Sequence, residues 1–199
     1  MNLPNKISLA RICMIPVFVL VFFLDGVLPF NFGIAAIVFA VAACTDFIDG
    51  HIARSRGLVT NLGKFLDPIA DKVLVSTAML LILTMKDSLF AKLGDAAYAV
   101  YVATAVCICV IMARELIISA FRQIAAVSGL VMAADMLGKY KTTFQDISIF
   151  ILILSANIYA TAGMVIAIVG FVLFAVATVL TVWSGISYVV KNKRVLKEN

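Results

Sequence analysis

The chain has 199 residues, 64% hydrophobic and only 14% charged, which leaves too little polar surface to cover a soluble globule and points to a bilayer. Sixteen Lys and Arg against eleven Asp and Glu give a formal charge of +5, which in so apolar a chain marks a membrane face and no nucleic-acid partner. A disordered chain, a disulfide scaffold and a collagen are excluded.

The first apolar run, 7–24, is interrupted by Ser8 and Arg11 and follows Lys6; no small-residue cleavage site follows it, so it is expected as a mature span rather than a signal peptide. Further runs occupy 31–45, 73–85 and 96–113, and a last one, free of charge, extends over 147–190. At ~1.5 Å per residue that last run is about twice the ~30 Å hydrocarbon thickness. It must turn back once, and polar and glycine residues place the turn in 157–163. The expected architecture is an all-α integral membrane protein of six transmembrane helices forming a single domain over 1–199. Cys13, Cys44, Cys107 and Cys109 lie in apolar runs without paired spacing, so they are read as small buried hydrophobes rather than zinc ligands or a disulfide framework.

Six spans put both termini on one side, and the distribution of basic residues agrees. Lys6, Arg11, Arg54, Arg56, Lys64, Lys72, Arg114, Arg122, Lys139, Lys141, Lys191, Lys193, Arg194 and Lys197 fall at or near one face, with Lys86 and Lys92 opposite. By the positive-inside rule the termini and the loops 54–66 and 122–141 are cytoplasmic, and the links near 25–30, 86–95 and 157–163 face outward.

Ionisable residues within or beside spans cost at least ~2.5 kcal/mol each and are functional candidates by default. Asp46 and Asp49 are three apart at the end of the second span; Asp67 and Asp71 are four apart at the start of the third. Each pair therefore shares a helix face, and the short connection makes the two helices antiparallel neighbours. Four carboxylates together are relieved by protonation, which leaves them inert, or by cation binding. Hard oxygen donors suit Mg²⁺ or Mn²⁺, and two such ions would balance the four charges and keep positions open for phosphate oxygens. The structural alternative is surface or helix-capping aspartates, which accounts for one residue at a time and not for two same-face pairs. Between the pairs, Gly50 and Ala53 leave room on the face of Asp46, and Arg54 has the fork geometry for a phosphate. Gly57 to Asn61 reads as a turn.

Together these residues spell Asp46-x2-Asp49-Gly50-x2-Ala53-Arg54-x8-Gly63-x3-Asp67-x3-Asp71, eight fixed residues over 26 positions. This resembles, at every position, the signature of the CDP-alcohol phosphatidyltransferases. The resemblance implies the six-helix CDP-alcohol phosphotransferase fold and transfer of a phosphatidyl or similar group from a CDP-linked lipid to an alcohol, with release of CMP. It implies two divalent metals on Asp46, Asp49, Asp67 and Asp71, with Asp71 also the general base. It places Gly50, Ala53, Arg54 and Thr60 at the CDP moiety. The opening Asn5-Lys6-Ile7-Ser8 is similar to the family's N-terminal Pro-Asn-x-x-Thr/Ser element, so Asn5 and Ser8 join the CDP-lipid site. A homodimer is implied by the family alone.

For the acceptor, the remaining charges are Arg114, Glu115 and Arg122 late in the fourth span, and Lys139 and Lys141 opening the fifth. Arg114 and Arg122 share a face, and the run from Gly138 to Gln145 is expected to curl over the same cavity. Either they bind a phosphate-bearing acceptor or they are positive-inside anchors. The stretches Asn2 to Arg11, Ala113-Arg114-Glu115 and Gly138-Lys139-x-Lys141-Thr142 resemble the bacterial phosphatidylglycerophosphate-synthase branch of the family. That implies CDP-diacylglycerol as donor and sn-glycerol 3-phosphate as acceptor at the cytoplasmic face of a bacterial plasma membrane; a relative taking inositol phosphate also needs a basic patch. A divalent-cation transporter is the rival of another class. It calls for acidic residues through the bilayer, whereas here the aspartates gather at one face beside Arg54, Lys72 and Arg114. His51 is read as a bystander, Trp183, Tyr188 and 191–194 as an interfacial belt, and Asp135 and Asp146 as solvated or capping groups.

Overall fold

The computed structural model describes residues 3–55, 61–127 and 136–192, with side chains described over 6–45, 69–125, 137–159 and 161–192. Among these residues there are six α-helices and no strand: α1 (Leu3–Phe22), α2 (Asn31–Ser55), α3 (Asn61–Ile82), α4 (Ala97–Val127), α5 (Met136–Ala156) and α6 (Ala160–Lys191), with a short 3₁₀ helix, Phe90–Ala96, leading into α4. Two segments, Phe90–Ala125 and Thr161–Lys191, are long and apolar enough to cross a bilayer; the apolar part of α2, Asn31–Thr45, is shorter. The helix count matches the expected six, but among the described residues the membrane-crossing character is plain in these two only. In α3 and α5 composition works against it: α3 opens with Lys64, Asp67, Asp71 and Lys72, and α5 carries Lys139, Lys141 and Asp146.

One apolar core draws on all six helices. Phe18 and Phe22 of α1 meet Phe39 and Phe32 of α2 with ring centroids 6.0 and 5.1 Å apart. Leu74, Met79 and Ile82 of α3, Ile111 of α4, Leu152 and Ile153 of α5 and Phe174 of α6 complete it. The pairs α1–α2 and α5–α6 pack most closely, and α5 also touches α2 and α3. Small residues set the approach: Ala35, Ala36 and Ala42 of α2 are fully buried, and a Cβ on Gly170 of α6 would stand 2.8 Å from Leu152 Cδ2 of α5.

Several sequence boundaries move. The turn in the long apolar run is tighter than 157–163, since α5 ends at Ala156 and α6 begins at Ala160. The loops 54–66 and 122–141 are largely helical: α2 continues to Ser55, α3 starts at Asn61, α4 continues to Val127 and α5 starts at Met136. Consequently the run Gly138 to Gln145 forms the first turns of α5 and does not curl as a loop. Asp146 is half-buried and lies in the interior of α5, away from either helix end. Tyr188 is 4% exposed and packs its ring edge-on against Phe121, so it leaves the interfacial belt, whereas Trp183 is 67% exposed. The four cysteines are not the buried residues expected: Cys13, Cys44 and Cys109 are exposed and Cys107 only half-buried. On a helix that faces lipid, an apolar neighbourhood does not imply burial.

Candidate functional site

The signature residues lie on two helices that pack together. Asp46, Asp49, Gly50, Ala53 and Arg54 occupy the last turns of α2, and Asp67 and Asp71 the first turns of α3. The side chains of Asn5, Asp46, Asp49, His51, Ala53, Arg54 and Asp67 lie outside the described residues, as do Thr60 and Asp135 altogether. Among the described side chains no group of three or more potential ligands gathers, three of the four expected ligands being outside that set.

Asp71 is half-buried and lines a crevice bounded by α3, α4 and α5. Lys72 stands beside it, Glu115 comes from α4, Lys141, Thr142 and Gln145 come from α5, and Val75 and Met79 supply the apolar wall. The helical period explains this convergence: Lys141 and Gln145 are four apart on α5, and Val75 and Met79 repeat the face of Asp71 at intervals of four on α3. Gln145 is buried and directs Nε2 to Met79 Sδ at 3.6 Å.

The cations are organised around Glu115. Its Oε1 accepts from Arg114 NH1 at 3.2 Å and forms a close ion pair with Lys141 Nζ. Lys72 Nζ donates to Ser119 Oγ, which in turn donates to the Glu115 carbonyl at 2.6 Å. Arg114 reaches across to α6, donating from Nε to Thr181 O at 3.2 Å and from NH2 to Ser184 Oγ at 3.0 Å. Gly185 makes room for it, since a Cβ there would lie 3.0 Å from Arg114 Cγ. Arg122 is exposed, with its guanidinium 5.2 Å from the Tyr188 ring centroid and Nε donating to the phenol oxygen at 3.2 Å. Arg114, Lys72, Asp71 and Asp146 all act electrostatically on Lys141, and Arg122 and Arg114 on Lys72. The structure thus brings Lys141, Arg114 and Arg122 of the expected basic patch into one field with Asp71. Lys139 is exposed, and two residues along the helix turn it about 200° from Lys141.

For three charged residues near the signature the structure adds contacts that the sequence does not show. Lys72 was counted there among the one-sided basic residues and Glu115 among the charges of the acceptor patch. Arg11 was counted only as a topology signal, yet it is fully buried and donates from Nε to Thr45 Oγ1 at 3.3 Å, directly before Asp46. Ser8, one turn earlier on α1, is fully buried as well. An arginine inside an apolar run is the signal that marks Arg11, by the same insertion argument applied to the aspartates.

A half-buried aspartate in a crevice lined by two lysines is chemically suited to a phosphate ester held against an acid-base group. A model of the CDP-alcohol phosphatidyltransferase family matches residues 1–183. The chain belongs to this family. As a CDP-alcohol phosphatidyltransferase it is an enzyme and a membrane protein. It is 37% identical over 210 residues to a CDP-diacylglycerol–glycerol-3-phosphate 3-phosphatidyltransferase of Bacillus subtilis (strain 168), covering 98% of this chain and 97% of that protein. Proteins of the same name from Shigella flexneri serotype 5b (strain 8401) and Escherichia coli (strain K12) are each 40% identical over 190 residues, covering 94% of this chain and 92% of theirs.

Proposed function

We propose that this chain transfers the phosphatidyl group of CDP-diacylglycerol to sn-glycerol 3-phosphate, giving phosphatidylglycerophosphate and CMP in phospholipid biosynthesis. The observation that carries the acceptor is that Lys72 and Lys141 line the crevice that holds Asp71, with Arg114 and Arg122 near enough to act on them electrostatically. So many cations around two carboxylates leave a field that a phosphate dianion relieves. The near full-length likeness to relatives named for this acceptor supports the same reading.

Asp46, Asp49, Asp67 and Asp71 form an all-oxygen donor set, two on each of two packed helices, which fits hard divalent ions such as Mg²⁺ or Mn²⁺. Two such ions would neutralise the pyrophosphate of the donor and the charge developing on the leaving CMP. The remaining steps belong to the chain. Asn5, Ser8, Gly50, Ala53, Arg54 and Thr60 hold the CDP end of the lipid. Lys141, with Arg114 and Arg122 behind it and Lys139 at the rim, holds the acceptor by its phosphate. Asp71 takes the proton of the acceptor hydroxyl as its oxygen bonds to the β-phosphorus, and the bond from that phosphorus to the CMP oxygen breaks. No covalent enzyme intermediate is needed.

The reading extends to six membrane-crossing helices in one domain over 1–199, supported by the single core that all six helices share. It also places the site at the cytoplasmic face of a bacterial inner membrane, supported by the one-sided basic residues, and a homodimer, supported by the family. The test is an acceptor panel with purified protein, CDP-diacylglycerol and Mg²⁺ or Mn²⁺. CMP release is expected with glycerol 3-phosphate, not with inositol phosphate, serine or phosphatidylglycerol, and a chelator should stop it. Release with a different acceptor, or undiminished release in chelator, removes this assignment.

A further inference from the structure

A phosphate dianion is held by several donors from more than one direction, so the cations that serve it must both keep N–H groups available and line the crevice. An ammonium has three donors and a guanidinium five. Among the described residues, Arg114 directs donors to Thr181, Ser184 and Glu115, and its side chain is only 13% exposed. It ties α4 to α6. Arg122 is laid over Tyr188. Lys141 directs one donor to Glu115, and Lys72 directs one to Ser119. Among the described residues each of these two ammoniums keeps two donors, and both line the crevice with Asp71.

We propose that Lys72, presented by Ser119, is the second cation that binds the acceptor's phosphate, forming with Lys141 a two-ammonium clamp across the crevice between α3 and α5. The Ser119 hydroxyl donates its proton to the Glu115 carbonyl, so its lone pairs face Lys72 and fix where that ammonium sits. Glu115 does the corresponding work for Lys141. Both supports come from one turn of α4, which sets the spacing of the two cations. Lys72 also follows Asp71 in sequence, so a short acceptor gripped by its phosphate at Lys72 has its hydroxyl end within reach of the carboxylate. Phosphate recognition and proton removal thus depend on one turn of α3.

This inference rests on the proposed acceptor, and its test separates the two. Full-length protein in detergent micelles is assayed for CMP release while each substrate is varied in turn, with wild type, Lys72→Met, Lys72→Arg and Ser119→Ala. Lys72→Met is expected to raise the KM for glycerol 3-phosphate about tenfold or more, equivalent to about 1.4 kcal/mol of lost binding. The KM for CDP-diacylglycerol stays within about twofold, since the lost contact is made to the acceptor alone. Lys72→Arg recovers most of the loss, and Ser119→Ala gives an intermediate one. Inhibition by inorganic phosphate weakens in the same order. An unchanged KM for glycerol 3-phosphate, or equal effects on both substrates, overturns the clamp. If Lys72→Met fails to fold, Ser119→Ala and phosphate inhibition decide alone. Failure of wild type to use glycerol 3-phosphate overturns the acceptor assignment instead.

Discussion

A carboxylate that removes a proton from an alcohol must lie within hydrogen-bond reach of that alcohol while the rest of the substrate is held still. Asp71 meets the second condition through its surroundings: it is half-buried, Lys72 and Lys141 share its crevice, and Val75 and Met79 wall it on the apolar side. Asp71→Asn keeps the volume and one oxygen but removes the base, and a loss of about 10²–10⁴-fold in kcat is expected. Binding of the CDP-lipid, read by equilibrium binding to the purified variant, should stay within a few-fold, because the other three aspartates and Arg54 remain. Near-normal turnover would take the base role from Asp71. At this scale the signature aspartates were legible because their spacing repeats a helical face. Arg11 and Glu115 were not, for different reasons. A buried arginine at the end of a span looks the same in sequence as a topology anchor. The role of Glu115 exists only in three dimensions, where it meets Lys141, 26 residues away.

Helix ends in a bilayer protein carry their own requirement, since the last carbonyls of a helix have no partner within it. At the C-terminal end of α5 the requirement is met from a distant element: Lys92, in the 3₁₀ helix, donates to Ser155 O, to Ala156 O at 3.0 Å and to Ile158 O at 2.8 Å. Nearby, Asn157 Oδ1 accepts from the Gly33 backbone N–H at 2.8 Å, and Asn31 Nδ2 donates to Phe22 O at 3.0 Å. These bonds hold the α1–α2 and α5–α6 turns together. Lys92→Met keeps the aliphatic stem and deletes the ammonium, so a loss of about 1–3 kcal/mol is expected, the usual range for a charged donor. The melting temperature in detergent should fall while CMP release per folded molecule is unchanged. An unshifted melting temperature would mean that water replaces the ammonium at no cost. In sequence Lys92 was only one of two basic residues on the outward side. The element boundaries misread there share one cause. Charged residues in 54–66 and 122–141 look like loop, but a helix that emerges from a bilayer continues into water as long as nothing breaks it. The turn after α5 was legible because polar residues interrupt an otherwise uniform run.

For the whole molecule the decisive quantity is the length of α5. Its 21 residues span about 30 Å at ~1.5 Å each, which matches the hydrocarbon thickness. Its composition alone does not mark it as a crossing helix, because Lys139, Lys141 and Asp146 lie in its first half. Packing bears on this, because α5 lies against α2, α3 and α6, with Lys141 turned into the crevice and Lys139 exposed. The proposed arrangement puts the two ends of α5 on opposite sides of the membrane, with the crevice on the cytoplasmic side. Lys139, near its start, is exposed, and Tyr159, just beyond its end, is 83% exposed, so both positions accept a small probe without disturbing the core. With Cys13, Cys44, Cys107 and Cys109 replaced by alanine or serine, the Tyr159→Cys variant should react with a membrane-impermeant maleimide in intact cells. The Lys139→Cys variant should react only after the membrane is opened. Labelling of both from the same side would mean that α5 does not cross, and the even number of spans that puts both termini in the cytoplasm would fall with it. Labelling in the reverse order would instead move the crevice, and the soluble acceptor it binds, to the outer face.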